Sequence, residues 1–147
     1  MPPLPRRELR GLDVATRALA RRDFSERGLR ERLERAGVDP AEAERVLGRL
    51  RAEGVLDETR FATNRAHALA ERGKGDAAIR FDLENQGLPT ELIEPALAEL
   101  EPERTRAERV VSRRGPSPAT ARLLTGRGFD PDVVDAAVAP DTQAALG

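Results

Sequence analysis

The chain has 147 residues, no cysteine, tryptophan or tyrosine, one histidine, and a net charge of −1 although 35% of its residues are charged. This excludes disulfide and thiolate chemistry and leaves few nucleophile–base sets. Any core must be built from Leu, Val, Ile and Ala with four phenylalanines as larger anchors, in one domain or about three small units.

Ala, Leu, Arg and Glu, all good helix formers, dominate the chain. Period-two runs of β-branched residues are missing, so the predicted class is all-α. Residues 1–13 are read as a loose N-terminal segment, with at most some helix near Arg6 to Arg10. A first repeat then spans residues 14–56. Its first helix runs from Val14 to Arg22, with Val14/Ala18 and Ala15/Leu19 at i, i+4. Ser25 opens the second, which faces Leu29, Leu33 and Ala36 inward and ends at Gly37 as a left-handed cap. Asp39 caps the third, with Pro40 in its first turn and Glu42 completing a D-x-x-E capping box. Val46, Leu47 and Leu50 form its apolar stripe, and Gly54 ends it.

The second repeat spans residues 57–101. Asp57 caps a helix carrying Phe61, Ala62, Ala66 and Leu69, which ends near Gly73. The next helix, Asp76 to Gln86, buries Ile79 and Leu83, placed before Gly87 as Leu29 and Leu33 are placed before Gly37. A third helix starts near Thr90 and carries Leu92, Ile93, Ala96, Leu97 and Leu100; Pro95 inside it removes a hydrogen bond and should bend or shorten it. The third repeat, residues 102–139, is weaker. Val110 and Val111 mark its first helix, Ser117-Pro118 and Leu123-Leu124 its second, and Val133, Val134, Ala137 and Val138 its third. Residues 140–147 are read as a frayed tail.

The three repeats share a signature of glycine, a large apolar residue, then Asp or Pro at a helix start: Gly37-Val38-Asp39, Gly87-Leu88-Pro89 and Gly128-Phe129-Asp130. Repetition at such a period means neighbouring units stacked to share a core, which offers a long surface for gripping a partner.

The segment Gly54-Val55-Leu56-Asp57-Glu58-Thr59-Arg60-Phe61-Ala62 resembles the opening of the middle repeat of the RecX family, regulators of the bacterial RecA recombinase. The resemblance continues through Arg72-Gly73-Lys74-Gly75, Ile79, Leu83, Gly87 and Leu92-Ile93-x-x-Ala96-Leu97, and in the first repeat through Ser25, Leu29, Leu33 and Gly37. It covers roughly residues 14–138. It implies three tandem three-helix (helix-turn-helix-like) repeats in an elongated, curved array. It also implies binding along the RecA–DNA filament that limits ATP hydrolysis, strand exchange and filament extension in homologous recombination, DNA repair and the SOS response. The chain departs from the family at Gly28, where Glu is common, at Asn64 and Arg65, where an aromatic is common, and at Asp76 and Ala78 in place of Pro and Arg.

Charge is unevenly placed. Residues 1–72 carry sixteen arginines against thirteen acids, while residues 73–102 carry Lys74 and Arg80 against seven acids. The candidate partner-binding residues are Arg60, Arg65, Arg72, Lys74 and Arg80 on the middle repeat, with Arg17, Arg21 and Arg30 on the first, facing acidic filament surface or DNA phosphate. Glu26/Arg30 and Glu31/Arg35 at i, i+4 are alternative, internal partners for part of this charge. Leu56, Asp57, Phe61, Gly37, Gly87 and Gly128 are read as structural, Phe61 as core. His67, with Asn64 and Glu71 on one stripe, falls short of a zinc ligand set. No G-x-x-x-x-G-K-[ST] loop is present. The reading is a non-enzymatic, monomeric, cytoplasmic protein with no cofactor, whose partner is the RecA filament, with weak contact to single- or double-stranded DNA. Met1 to Arg10 has no signal-like apolar run, and no stretch nears membrane-span length. A second reading is a helix-turn-helix DNA-binding protein or transcription factor, against which the near-neutral charge counts.

Overall fold

The computed structural model describes residues 6–139, and the expectations for residues 1–5 and 140–147 lie outside the described residues. Among those described there are nine helices and no strand. They are α1 (Arg6–Arg21), α2 (Glu26–Arg35), α3 (Pro40–Ala52), α4 (Glu58–Glu71), α5 (Asp76–Asn85), α6 (Thr90–Ala98), α7 (Glu103–Arg114), α8 (Pro118–Gly126) and α9 (Pro131–Val138). The main helix–helix packing joins members of the consecutive triplets α1–α3, α4–α6 and α7–α9.

α1 departs from the expected start at Val14: it begins at Arg6. Gly11, inside the segment expected to be loose, is helical and buried, and a Cβ there would lie 3.1 Å from Cγ2 of Val46. The close crossing of α1 over α3 therefore uses the missing side chain, and the packing outweighs glycine's roughly 1 kcal/mol helix penalty. Leu12 packs on the core beside it, and the Arg10 guanidinium donates to the Ala36 carbonyl at 2.9 Å.

The glycine signature forms the same turn each time. After α2, Gly37 N–H donates to Glu34 O and Val38 N–H to Leu33 O; after α5, Gly87 donates to Glu84 O and Leu88 to Leu83 O. After α8, Gly128 donates to Thr125 O and Phe129 to Leu124 O. This is the Schellman pattern, which places its glycine at positive φ (81°, 83° and 88° here) and folds the next apolar side chain back onto the helix. Val38, Leu88 and Phe129 are accordingly buried. Ser25, Asp39, Asp57, Ser117 and Asp130 cap the helices that follow them. Pro95 leaves α6 continuous, although α6 has nine residues against thirteen in α3.

Three buried clusters fill the triplets. The first is built on Leu29, Leu33, Val46 and Leu47, and the second on Phe61, Ile79, Leu83 and Ile93. The third is reduced to Ala107, Leu124, Phe129 and Val134. At roughly 1.5–3 kcal/mol for each buried large apolar side chain, the third unit has far less of its own to stand on.

What supports it is a junction whose plan recurs along the chain. The acidic first residue of one triplet reaches the N-terminus of the middle helix of the triplet before it. Glu58 faces the Glu26 amide opening α2, and Glu103 accepts from the Asp76 N–H opening α5 at 2.5 Å. The glycine after the later middle helix packs on that same first turn, Gly87 against Arg27 and Gly128 against Ala78. Free N–H groups and the positive dipole end make a helix N-terminus a natural seat for a carboxylate. Glu103 serves two ends at once, since its other oxygen accepts from Asp130 N–H at 3.0 Å at the start of α9.

The Glu58 seat is less comfortable. Burial raises its pKa first, and the nearby Glu26 carboxylate adds to this; the Glu26 amide and Arg51 oppose it. An acid whose pKa is higher folded than unfolded holds its proton more tightly in the native state, so its contribution to stability declines as pH rises through that window. Glu58→Gln keeps an acceptor for the Glu26 amide without the charge. It is expected to melt at or above the parent temperature at pH 7, the difference closing as pH falls below the usual glutamate range. Thermal melts from pH 4 to 8 check this; a fall at neutral pH that persists in acid would contradict it.

Candidate partner-binding surfaces

Several arginines expected at a partner surface are held by the protein itself. Arg30 reaches across to Glu44 on α3 rather than to Glu26, and Arg80 repeats the pair fifty residues on with Glu94 on α6. The hydrogen bond each arginine donates to its carboxylate raises the arginine's pKa and lowers those of Glu44 and Glu94. Arg65 grips Asp82 on α5 with both nitrogens of its fork, at 2.6 and 2.9 Å. Arg60 donates to the Val55 carbonyl at 3.0 Å and lies near Asp57, bracing the turn before α4. Arg17 pairs with Asp13 on its own helix at 3.3 Å. Surface pairs of this kind are worth about 0–1 kcal/mol each, so they orient these side chains more than they stabilise the fold.

Other candidates are free of internal partners. Arg21 and Arg72 make no side-chain hydrogen bond or ion pair among the described residues, and the exposed Lys74 contributes only its backbone carbonyl, to Arg106. The expected structural residues sit as their types suggest. Leu56 and Phe61 are buried, and Asp57 accepts from Arg60 N–H at 3.0 Å as the cap of α4.

Two depressions flank the last turns of α1 and gather cations from separate elements. One, of about 210 Å³, lies between the end of α1 and α4. It is lined by Arg22, Asp23, Asn64, Arg65 and Arg72 over Phe61, Ala68 and Leu69. The other, of about 280 Å³, lies between α1 and α2 and is lined by Arg17, Arg21 and Arg32 over Val14, Ala18 and Ala36. Arg22 stacks on the Phe24 ring, 3.9 Å from its centroid, which holds it without neutralising it. The sequence reading named Arg17, Arg21, Arg65 and Arg72, but spacing within one helix cannot show that residues 22 and 72 meet across a repeat junction. Neither depression has the nucleophile–base arrangement of an active site, and among the described residues no group of three or more His, Asp or Glu is placed to hold a metal ion. No described helix is long and apolar enough to cross a membrane.

With this geometry in view, comparison with known proteins is decisive. Residues 12–50 match the family model for the first three-helix domain of RecX, and residues 57–97 match the model for its second. The regulatory protein RecX of Halorhodospira halophila is 36% identical over 137 residues, covering 86% of this chain and 85% of the relative.

The chain belongs to the RecX family.

The RecX of Leptothrix cholodnii is similar at 40% identity over 129 residues, with 82% of each chain covered. The crystal structure of RecX from Lactobacillus salivarius superposes with a TM-score of 0.77 over 98% of this chain and all of that one, at 16% identity. A second crystal structure, of regulatory protein RecX, gives 0.75 over 88% of this chain and 72% of that one, at 19% identity. At those identities the structures speak for the shared all-helical fold. The named relatives are regulatory proteins, and the two matched domains are the two triplets that enclose the first depression.

Proposed function

We propose that this protein binds a RecA–DNA filament and negatively regulates it, restraining ATP hydrolysis, strand exchange and filament extension in recombinational repair and the SOS response. Membership of a family of regulatory proteins along most of the chain is the observation that carries this reading. The architecture supports it physically. Consecutive triplets spread modest contacts over a long surface, so that engagement of adjacent protomers sums by effective concentration. A protein held across two protomers restrains the relative motion that turnover and extension require. The protein works in the cytoplasm, as a monomer and without catalysis of its own.

The test is single-strand-DNA-dependent ATPase activity of the cognate RecA with this protein titrated in. Inhibition at well below one copy per RecA is expected, with weak binding to free RecA and to bare DNA. Unchanged turnover at every ratio would remove the proposal. Tight, salt-steep binding to duplex DNA would then favour the helix-turn-helix reading.

A further inference from the structure

We propose that the two basic depressions beside the end of α1 together receive an acidic segment of a partner protein, its carboxylates taken by Arg21 and Arg32 on one side and by Arg22 and Arg72 on the other. This deepens the filament-binding reading by naming the chemistry of the contact, and it rests on that reading only for where the segment resides.

Four observations carry it. The α1–α2 groove is lined by three arginines and no acid, and only Arg17 among them is spent, on the exposed Asp13. In the junction cleft Asp82 neutralises Arg65, which leaves Arg22, Arg72 and the Asn64 amide against the single carboxylate of Asp23. Both floors are apolar: Val14, Ala18 and Ala36 in one, Phe61, Ala68 and Leu69 in the other. Finally, Arg21, the last residue of α1, lines one depression and the next residue, Arg22, lines the other, so a strand of partner chain crossing the end of α1 meets one and then the other.

The same surface suits nucleic acid poorly. Single-strand binding relies on exposed aromatic platforms for the bases. Here Phe61 is buried beneath its cleft, and the Phe24 ring is buried and covered by Arg22. The whole chain carries −1, without the bias of a phosphate-tracking surface. A sequence mixing Asp or Glu with Leu or Val supplies both the charge and the apolar contact that the depressions offer. The guanidinium fork favours carboxylate geometry in particular.

The experiment uses the full chain and a fluorescein-labelled twelve-residue peptide of Glu, Asp and Leu, followed by anisotropy at low salt without RecA. A second peptide has Gln and Asn for the acids, and labelled oligo-dT of the same length is the third probe. Binding of the acidic peptide alone is expected. Arg72→Ala and Arg32→Ala should each weaken it about twofold to fivefold, the range of an exposed ion pair, and the double variant should lose the product of the two. Arg113→Ala, on exposed α7 in the third triplet, should leave it unchanged. Equal binding of the neutral peptide, equal loss with Arg113→Ala, or preference for oligo-dT overturns the proposal. All three substituted positions are exposed, and a circular dichroism melt verifies that each variant folds. Because RecA is absent, failure here leaves the ATPase test standing. Inhibition that survives in a variant blind to the peptide would instead show that the filament is held elsewhere.

Discussion

Gly128→Ala is expected to lower the unfolding free energy by about 3 kcal/mol, combining strain at positive φ with overpacking against fixed atoms. Gly128 lies at φ 88°, and a Cβ built on it would fall 2.6 Å from Ala78 Cβ and 2.7 Å from Ala78 N. Neither neighbour is the far end of a flexible side chain. Gly75, on the other face of the contact, is equally tight: its N–H donates to Arg127 O at 2.9 Å, and its added Cβ would meet Gly128 O at 2.4 Å. The backbones of α5 and of the turn after α8 thus touch where side chains usually intervene. Three further substitutions separate the causes. Gly126→Ala has open space and no positive φ, and should be neutral or gain up to about 1 kcal/mol. Gly37→Ala has φ 81° and nothing within 4 Å, so it should show conformational strain alone, about 1–2 kcal/mol. Gly87→Ala adds contact with the movable Arg27 side chain and should fall between Gly37→Ala and Gly128→Ala. Urea titrations order the four; Gly128→Ala no worse than Gly37→Ala would show that the junction is soft.

How far the sequence reveals this molecule depends on the range of the interaction concerned. The helix class, the caps at Ser25, Asp39 and Asp57 and the glycine turns are set within five or six residues, and the letters of those residues display them. Gly37, Gly87 and Gly128 are legible because a Schellman turn needs both positive φ and an apolar residue next in line. Long-range features are hidden in proportion to their sequence separation. α1 starts early because Gly11 meets Val46, thirty-five residues away, whereas local rules treat that glycine as an interruption. The partner-binding candidates divide in the same way. Nothing around Arg30, Arg65 or Arg80 shows that Glu44, Asp82 and Glu94 already hold them. The fifty-residue step relating Arg30–Glu44 to Arg80–Glu94 is a signal that the repeat itself makes available once the two glycines are aligned. Nothing comparable marks Arg22 with Arg72: the same step relates them as equivalent positions, but does not show that they line one cleft.

Arg106→Ala is expected to cost about 3 kcal/mol, the usual penalty for removing one member of a buried charged pair. Sequence gives no hint of this residue, which sits among six other arginines of the third repeat. In the structure it is 8% exposed, and its guanidinium joins two pieces of chain, the start of α5 and the turn before α7. Nε donates to the Glu101 carbonyl at 3.0 Å, Nη1 to the Lys74 carbonyl at 2.9 Å, and Nη2 to the Asp76 carboxylate. The Phe129 ring lies 5.9 Å from its centre. Truncation strips the Lys74 and Glu101 carbonyls of this donor and leaves Asp76 half-buried without its cation. Arg106→Lys restores the charge but not a planar fork with donors in three directions, so it should recover less than half of the loss. Asp76→Asn in a double-mutant cycle isolates the ionic part, and coupling of at least about 1 kcal/mol is expected from groups in direct contact. A cost for Arg106→Ala within about 0.5 kcal/mol of zero, the range of an ordinary surface change, would contradict the assignment. The consequence reaches beyond stability. The third triplet has the smallest core, and Arg106, Glu103 and the Gly75–Gly128 contact fix it against the second. Loosening that junction leaves both basic depressions intact while freeing the far end of the array. Arg106→Ala should therefore bind the acidic peptide as the parent does and yet inhibit RecA less effectively at equal concentration, since contacts summed across protomers depend on a fixed spacing between them.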